Sequence, residues 1–191
     1  TEASACVDKN VYIVGGGNSA GQSAVYLSKY ASRVYIVIRK DSLSYTMSSY
    51  LIKQIEELPN IEVLPETEIL EALGEKFLEK LTLWNISTGS DNCCDAAALY
   101  IFIGAKPYTD WLGEIIHRDS KGFIITGSDL KTGANFCNTW KMKRDPFLLE
   151  TSEPGIFAAG DVRSGAMNRV ASAVGEGSMA ISFVHKYLAE T

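Results

Sequence analysis

The stretch GGGNSA, which begins at Gly15, carries residue types that can bind a diphosphate through the peptide backbone. It fits the spacing G-x-G-x-x-A, in which Gly15 allows a tight turn, Gly17 lets the backbone approach a phosphate, and Ala20 is small enough for a helix to lie close to a strand. The amides that begin such a helix lack intrahelical partners and attract anions. The stretch therefore predicts a dinucleotide-binding loop, with Asn18 and Ser19 as further pyrophosphate contacts; a plain tight turn is the alternative.

Arg39 and Lys40 stand at the end of the second predicted strand, where NAD-binding proteins carry an acidic residue that accepts hydrogen bonds from a ribose 2′-hydroxyl. Two cations in this place favour a 2′-phosphate, because a guanidinium pairs bidentately with phosphate oxygens. We therefore expect a preference for NADPH. NADH stays open, since a solvated basic pair beside Asp41 is the alternative interpretation.

The elements that must position these residues follow the order β-α-β-α-β. Apolar runs predict strands, and apolar residues at helical spacing predict helices. The strands are expected at 11–14, 34–38 and 61–64, and the helices at 19–31 and 48–58. This order with short connections is typical of a doubly wound, Rossmann-like parallel sheet, and it places GGGNSA between a strand and a helix. The similar letters GEGSMA at 175–180 follow no strand and are discounted.

The rest of the chain predicts a small β-meander and then less regular structure. Strand-like patterning covers 66–73, 78–88 and 99–103, with GEK and the polar GSDNCCD as turns. Further strands are expected at GFIIT within 119–127 and at GIFAA, 155–159, a long loop at 128–150, and a helix at 168–188. The expected fold class is α/β, a Rossmann-like doubly wound sheet with an inserted β-meander.

Composition and charge argue against several classes of protein. The 191 residues carry a net charge of −5, which argues against a nucleic-acid or anionic-membrane surface. No apolar run reaches the length of roughly 18 to 20 residues that spans a bilayer, and the beginning TEASACVDKN has no signal-peptide design. A cytoplasmic protein is the expectation.

The cysteines and histidines predict no metal site. Cys6, Cys93, Cys94 and Cys137 form no C-x-x-C pair and no zinc-type spacing with histidine. The adjacent pair in GSDNCCD is interpreted as two thiols in or beside a polar turn, with a redox or metal role as the alternative.

Four stretches, in order and over nearly the whole chain, resemble the low-molecular-weight thioredoxin reductases of the pyridine nucleotide-disulfide oxidoreductase group. They are VYIVGGGNSA with AVYLSKYASRVYIVIRKD, then YIFIGAKPYT, ETSEPGIFAAGDV and NRVASAVGEGSMA. The resemblance implies an NADPH domain closed by YIFIGAKPYT, with Gly104 among its cofactor residues. It also implies that Asp161 holds the ribityl or pyrophosphate region of FAD, and that Arg169, Val170 and Ala171 lie beside the flavin ring.

Three departures from the family pattern change the expectation. The family carries a redox C-x-x-C ahead of the glycine loop, where this sequence offers only Cys6. The family follows its two cations with a later arginine, where this sequence has Ser44. The family has a second strand-glycine-helix unit for FAD, and only one such unit occurs here. The sequence is most similar to the subgroup without the dithiol, which is often fused to sensory or regulatory domains.

The resemblance therefore implies an NAD(P)H-binding domain at 1–116 and, at 117–191, the returning part of an FAD-binding domain whose first half is absent. The intact protein would be an NAD(P)H-dependent flavoprotein oxidoreductase that transfers hydride from NAD(P)H to FAD. The isolated chain is expected to bind FAD poorly and to be inactive alone. The alternative is a non-catalytic nucleotide-binding regulatory or interaction module.

Two segments raise the question of protein partners. The basic stretch KMKRDP suits either a partner-docking loop or a solvated loop, and solvation is favoured. The helix at 171–180 is rich in small residues that allow close approach by a cofactor or another helix. From its apolar surface we expect a homodimer, or a solubility lower than the charge suggests.

Overall fold

The computed structural model describes residues 2–132 and 140–190. The chain divides into two compact units, residues 1–104 and 105–191. The resemblance placed residues 105–116 in the nucleotide-binding domain; they lie within the second unit. Cys137, the fourth cysteine of the sequence, lies outside the described residues.

The first unit is a parallel sheet with helices on one face and an antiparallel sheet on the other. Its elements, in chain order, are β1 Asn10–Val14, α1 Asn18–Leu27, β2 Arg33–Val37, α2 Ser49–Glu56, β3 Ile61–Leu64, β4 Thr67–Leu73, β5 Lys80–Asn85, β6 Ser90–Asp95 and β7 Ala98–Ile101. The parallel sheet has the order β3-β2-β1-β7, and β4-β5-β6 form the meander. The Rossmann-like sheet and the inserted meander predicted from the sequence are both present.

Alternation along the strands explains why the parallel sheet is buried on both faces. Val11 and Ile13 of β1 point to the side of α1 and α2, where they pack with Ala20. Tyr12 points to the opposite side, joins Leu81 of the meander, and stacks on another strand tyrosine at 4.6 Å between ring centroids. Such two-sided burial is typical of parallel strands and produces their continuous apolar runs.

The prediction that GSDNCCD is a turn is wrong, because residues 90–95 form strand β6. This strand pairs with β5 in six register positions, among them Leu81 opposite Cys94. Cys94 packs against the apolar cluster around Tyr12, whereas Cys93 is exposed. An edge strand needs only one covered face, so a mostly polar sequence can occupy it.

Over residues 105–132 and 140–190, the second unit has little regular structure besides a long helix. This helix, α3, spans Val170–Glu190, and short 3₁₀ turns lie at Asp110–Leu112, Gly127–Thr132 and Gly160–Val162. Ile116, Ile124 and Ala158 form one small buried cluster in this unit. GFIIT and GIFAA do not form the predicted strands: among the described residues they contribute isolated bridges, at Ile124 and at Phe157. A ladder needs consecutive paired residues on a neighbouring strand, and single bridges do not extend into one.

Candidate functional site

The glycine loop begins where β1 ends, and Gly15 can be nothing larger. Its φ is +139°, a conformation that favours glycine. A Cβ built on it would lie 2.4 Å from the carbonyl oxygen of Phe102, which follows β7. The Gly15 amide donates to the carbonyl of Val37 at 3.1 Å, so the turn is tied to both neighbouring strands.

Gly17 is the N-cap of α1, and its backbone is open. Its φ of −92° and ψ of 175° are extended, and no side chain caps the helix. A Cβ on Gly17 would meet nothing within 4 Å. The first backbone bond of the helix runs from the Gly21 amide to the Gly17 carbonyl at 3.2 Å. The amides of the first helical turn have no partner within the helix. They lie at the positive end of the helix dipole, which suits the binding of a diphosphate.

Ala20 and Gly21 explain how closely the first helix lies on the sheet. Ala20 is fully buried in the core between α1 and the strands. A Cβ on Gly21 would lie 2.5 Å from Cδ2 of Leu51 on α2, so α1 also approaches its neighbouring helix closely. The small residues therefore fix the direction in which the helix N-terminus points.

Two side-chain hydrogen bonds, which the sequence analysis missed, tie the loop to the segment before α2. Oδ1 of Asn18 accepts from the amide of Ser48 at 2.8 Å. The hydroxyl of Thr46 donates to the carbonyl oxygen of Gly16 at 2.7 Å. Each bond joins residues 30 positions apart in the chain, so no local pattern could have revealed it. Asn18, which the sequence predicted as a pyrophosphate contact, thus uses its side-chain oxygen to hold two helix ends together.

The cation pair lies at the same edge of the sheet as the loop. In the parallel register Val14 lies opposite both Val37 and Ile101, so the carboxyl ends of these strands meet at one edge. Arg39 and Lys40 follow β2 at this edge and are exposed. Ligands of open α/β sheets bind outside the carboxyl ends of the strands, so the loop and the cations occupy the expected place.

Gly104 follows β7 and is the last residue of the first unit. It has φ of +86°, and a Cβ on it would meet nothing within 4 Å. The structure therefore places it beyond the same sheet edge, with a backbone conformation that favours glycine.

The residues expected at a flavin lie in the second unit. Asp161 is an exposed residue of the Gly160–Val162 turn, and Arg169, Val170 and Ala171 are exposed at the start of α3. The Ala173 amide donates to the Arg169 carbonyl at 3.0 Å, so this carbonyl accepts the first backbone bond of the helix.

Glu176, which lies between Gly175 and Gly177 on α3, connects this helix to the Gly160–Val162 turn. Its carboxylate accepts from the Gly160 amide at 2.7 Å and from the guanidinium of Arg163 at 2.5 and 3.3 Å. The bonds from Arg163, followed by the amide bond, hold the pKa of Glu176 below its usual value against the opposing effect of burial. The carboxylate therefore fixes the turn that carries Asp161.

Arg144 and Glu150 form a buried ion pair that the sequence analysis did not predict. Glu150 has no exposed surface and accepts two bonds from Arg144, at 2.7 and 2.9 Å, and one each from the amides of Phe147 and Gly155 at 2.9 Å. Nε of Arg144 also donates to Glu190 at 2.6 Å. Arg144 of KMKRDP is thus a mostly buried structural residue, and the solvated-loop interpretation is wrong for it.

None of the described cysteines, Cys6, Cys93 and Cys94, is in a disulfide. Cys6 is buried in the core of the first unit, and its Sγ lies 3.4 Å from the hydroxyl of Tyr100. The described residues hold no group of three or more His, Cys, Asp or Glu side chains placed to bind a metal ion. Over residues 2–132 and 140–190, no helix combines the length and apolarity of a membrane crossing.

A parallel sheet with a glycine loop between its first strand and first helix is typical of the Rossmann-like class of folds. The model of the pyridine nucleotide-disulphide oxidoreductase family matches residues 2–177, and the chain belongs to that family. Within the family it is thioredoxin reductase-like. It is 31% identical over 181 residues to the thioredoxin reductase of Chlamydia pneumoniae, covering 95% of this chain and 52% of the relative. It is 34% identical over 184 residues to the mitochondrial thioredoxin reductase 2 of Saccharomyces cerevisiae, covering 95% and 47%.

Solved structures agree with these relatives. The thioredoxin reductase of Streptococcus pyogenes superposes with a TM-score of 0.68 at 27% identity, over 100% of this chain and 56% of that one. The thioredoxin reductase of Giardia duodenalis gives 0.68 at 28% identity, over 98% and 55%. The chain thus spans about half the length of the relatives it matches.

Proposed function

We propose that this chain is the NAD(P)H-binding portion of a thioredoxin reductase-like flavoprotein oxidoreductase. The observation that carries the proposal is the N-terminus of α1, which no side chain caps and where Gly17 has open space before its backbone. In this proposal the backbone from Gly15 to Ala20 binds the pyrophosphate, and Arg39 and Lys40 bind the adenosine end. NADPH is the expected cofactor, with NADH as the alternative.

The second unit would contribute to an FAD site in the intact protein, through Asp161 and the residues 169–171. Its strand-like segments support this role. Ile124 forms two isolated bridges and Phe157 one, as expected for part of a sheet whose other strands belong to the half of the relatives that this chain does not span. When both cofactors are bound, NAD(P)H supplies a hydride and FAD accepts it. The residues named here bind and orient the cofactors.

The test is a titration of the 191-residue chain with NADPH and with NADH by isothermal calorimetry. We expect saturable binding of at least one of them below millimolar concentration. An absence of saturable binding for both nucleotides would overturn the proposal. A parallel FAD titration is expected to show weak binding or none, because the chain would hold only part of the flavin site.

A second candidate function is nucleotide binding without electron transfer, as in a regulatory module. The observation that favours it is Cys6, which is buried against Tyr100 and is therefore not placed for disulfide exchange with a partner. Full-length, FAD-loaded protein separates the two functions. Flavin bleaching within seconds of NADPH addition, with onward reduction of an artificial acceptor, excludes the regulatory module.

A further inference from the structure

The residues between β2 and α2 form a turn that is fixed to the glycine loop. We call residues 42–48 the anchored turn. Leu43 is buried in the core of the first unit, the Thr46 hydroxyl bonds to Gly16, and the Ser48 amide bonds to Asn18. The turn is therefore held at three points, and its exposed side chains have defined positions relative to the loop.

Tyr45 is the large exposed side chain of the anchored turn, with 63% of its surface accessible. Nζ of Lys40 lies 5.8 Å from the centroid of its ring, within the distance of a cation–π interaction. The backbone of Lys40 is held as well, because its carbonyl accepts from the Glu66 amide at 3.0 Å. Both ends of this lysine thus have a partner.

Two serines of the anchored turn, Ser42 and Ser44, hydrogen-bond to each other. The hydroxyls of Ser42 and Ser44 lie 2.9 Å apart, and the Ser44 amide donates to the Ser42 hydroxyl at 3.2 Å. Ser44 also stands where the resembled family carries a later arginine. Positive charge between residues 38 and 48 therefore comes from Arg39 and Lys40 alone, opposed by Asp41.

We infer that Tyr45 is a positioning residue for cofactor selection: its ring holds the ammonium group of Lys40 toward the ribose 2′-substituent, so that NADPH is bound more tightly than NADH. This inference rests on the proposed function and deepens it. A flexible lysine loses rotamer entropy when it binds a phosphate, and a ring that already restrains it reduces that loss. The effect is specific to NADPH because NADH presents a neutral hydroxyl at this position.

The test compares Tyr45→Leu, Tyr45→Phe and the control Tyr50→Leu. Tyr50 is also an exposed tyrosine, and it bonds to Gln54 on α2. Dissociation constants for NADPH and NADH are measured for each variant by calorimetry. We expect Tyr45→Leu to weaken NADPH binding by about two- to fivefold, the range of an exposed cation–π contact. NADH binding should stay within twofold, and Tyr45→Phe and Tyr50→Leu should behave as the unmodified chain.

Each other outcome has a distinct meaning. An equal loss for both nucleotides in Tyr45→Leu shows that the ring contacts the adenine itself and overturns the inference. A loss in Tyr45→Phe equal to that in Tyr45→Leu assigns the effect to the hydroxyl and also overturns it. If the unmodified chain binds neither nucleotide, the proposed function itself fails. If it binds both and the variants change neither affinity, only the inference fails.

Discussion

Gly15 and Phe102 lie so close that the carbonyl oxygen of Phe102 occupies the place of a side chain on Gly15. The distance from a Cβ built on Gly15 to that oxygen is 2.4 Å. This contact brings the end of β7 against the beginning of the glycine loop. The loop is therefore part of the packing of the sheet as well as a candidate ligand site, and the two roles can be separated by mutation.

Gly15→Ala should destabilise the first unit. The positive φ alone costs about 1–3 kcal/mol for a residue with a side chain, and the approach to the Phe102 backbone adds to it. The free energy of unfolding is measured by urea denaturation. Gly17→Ala is the matched control, since its extended backbone and open surroundings accept a methyl group, and its loss should be smaller. Equal losses for the two variants would contradict the contact.

Gly17→Ser should change binding and stability in different directions. A serine at an N-cap accepts a hydrogen bond from a first-turn amide and caps at least as well as glycine, so stability should be unchanged or higher by a few tenths of a kcal/mol. The same hydroxyl occupies the amides proposed for the pyrophosphate. We expect at least a tenfold weaker affinity for NAD(P)H in calorimetry. Unchanged affinity in a folded Gly17→Ser chain would place the nucleotide elsewhere.

Removing one member of the Arg144–Glu150 pair should strongly destabilise the second unit. Arg144→Leu leaves the Glu150 carboxylate fully buried without its guanidinium partner, and such losses are about 3–5 kcal/mol. Glu150→Leu should cost less, because Arg144 keeps its bond to Glu190. The double variant should lose less than the sum of the singles, because neither charge then remains unpaired. Urea denaturation of all four proteins completes the cycle. Additive losses would show that the two side chains do not interact.

Acid should weaken the second unit through Glu150. Burial opposes ionisation of this carboxyl, but the bonds from Arg144, Gly155 and Phe147 outweigh it and hold its pKa below the usual value. A depressed pKa in the folded state gives stability that is fully present above the unfolded pKa, about 4.3. That stability is lost as the pH falls through the folded value.

Urea denaturation between pH 7 and pH 3 measures this dependence. Glu150→Gln should show a shallower decrease of stability with acid, because one titrating group is removed. Glu176, whose pKa is also lowered, continues to contribute in that variant. An unchanged slope in Glu150→Gln would show that Glu150 does not titrate differently in the folded and unfolded chain.

The three described cysteines should react with a thiol reagent at different rates. In a Cys137→Ser background, Cys93 on the exposed side of β6 should react first and Cys94, which is partly covered, more slowly. Cys6 is only 1% exposed and should react at the rate of unfolding. Mass spectrometry of digested, time-resolved samples assigns each site. Rapid modification of Cys6 in folded protein would contradict its buried position.

The first unit was largely predictable because its signals are local. Apolar β-branched runs bounded by glycine or polar residues predicted the ends of β1 and β2 to within one residue. The run beginning at Ile61 predicted both ends of β3 correctly. Strand β6 was missed because polarity suggested a turn. This strand pairs with β5 through backbone hydrogen bonds and has only one covered face. Neither feature can be recognised from its polar sequence.

The second unit was less predictable for the opposite reason. GFIIT and GIFAA have strand composition, but a strand also requires a partner that the segment's own sequence cannot supply. Likewise, the bonds of Asn18 to Ser48 and of Arg144 to Glu190 connect residues far apart in the chain. Periodicity and motif spacing carry no information on such contacts. The binding roles assigned to the glycine loop and to Asp161 stay predictions.

The fastening of the anchored turn to the glycine loop has a consequence for kinetics. A loop that is already shaped gives up little further backbone freedom when a ligand arrives, so the entropic cost of capture is small. Nucleotide association should then be a single-step encounter, limited by diffusion and orientation rather than by a preceding rearrangement. A loop that keeps its shape should also release a bound nucleotide without a rearrangement, so dissociation should be a single step as well.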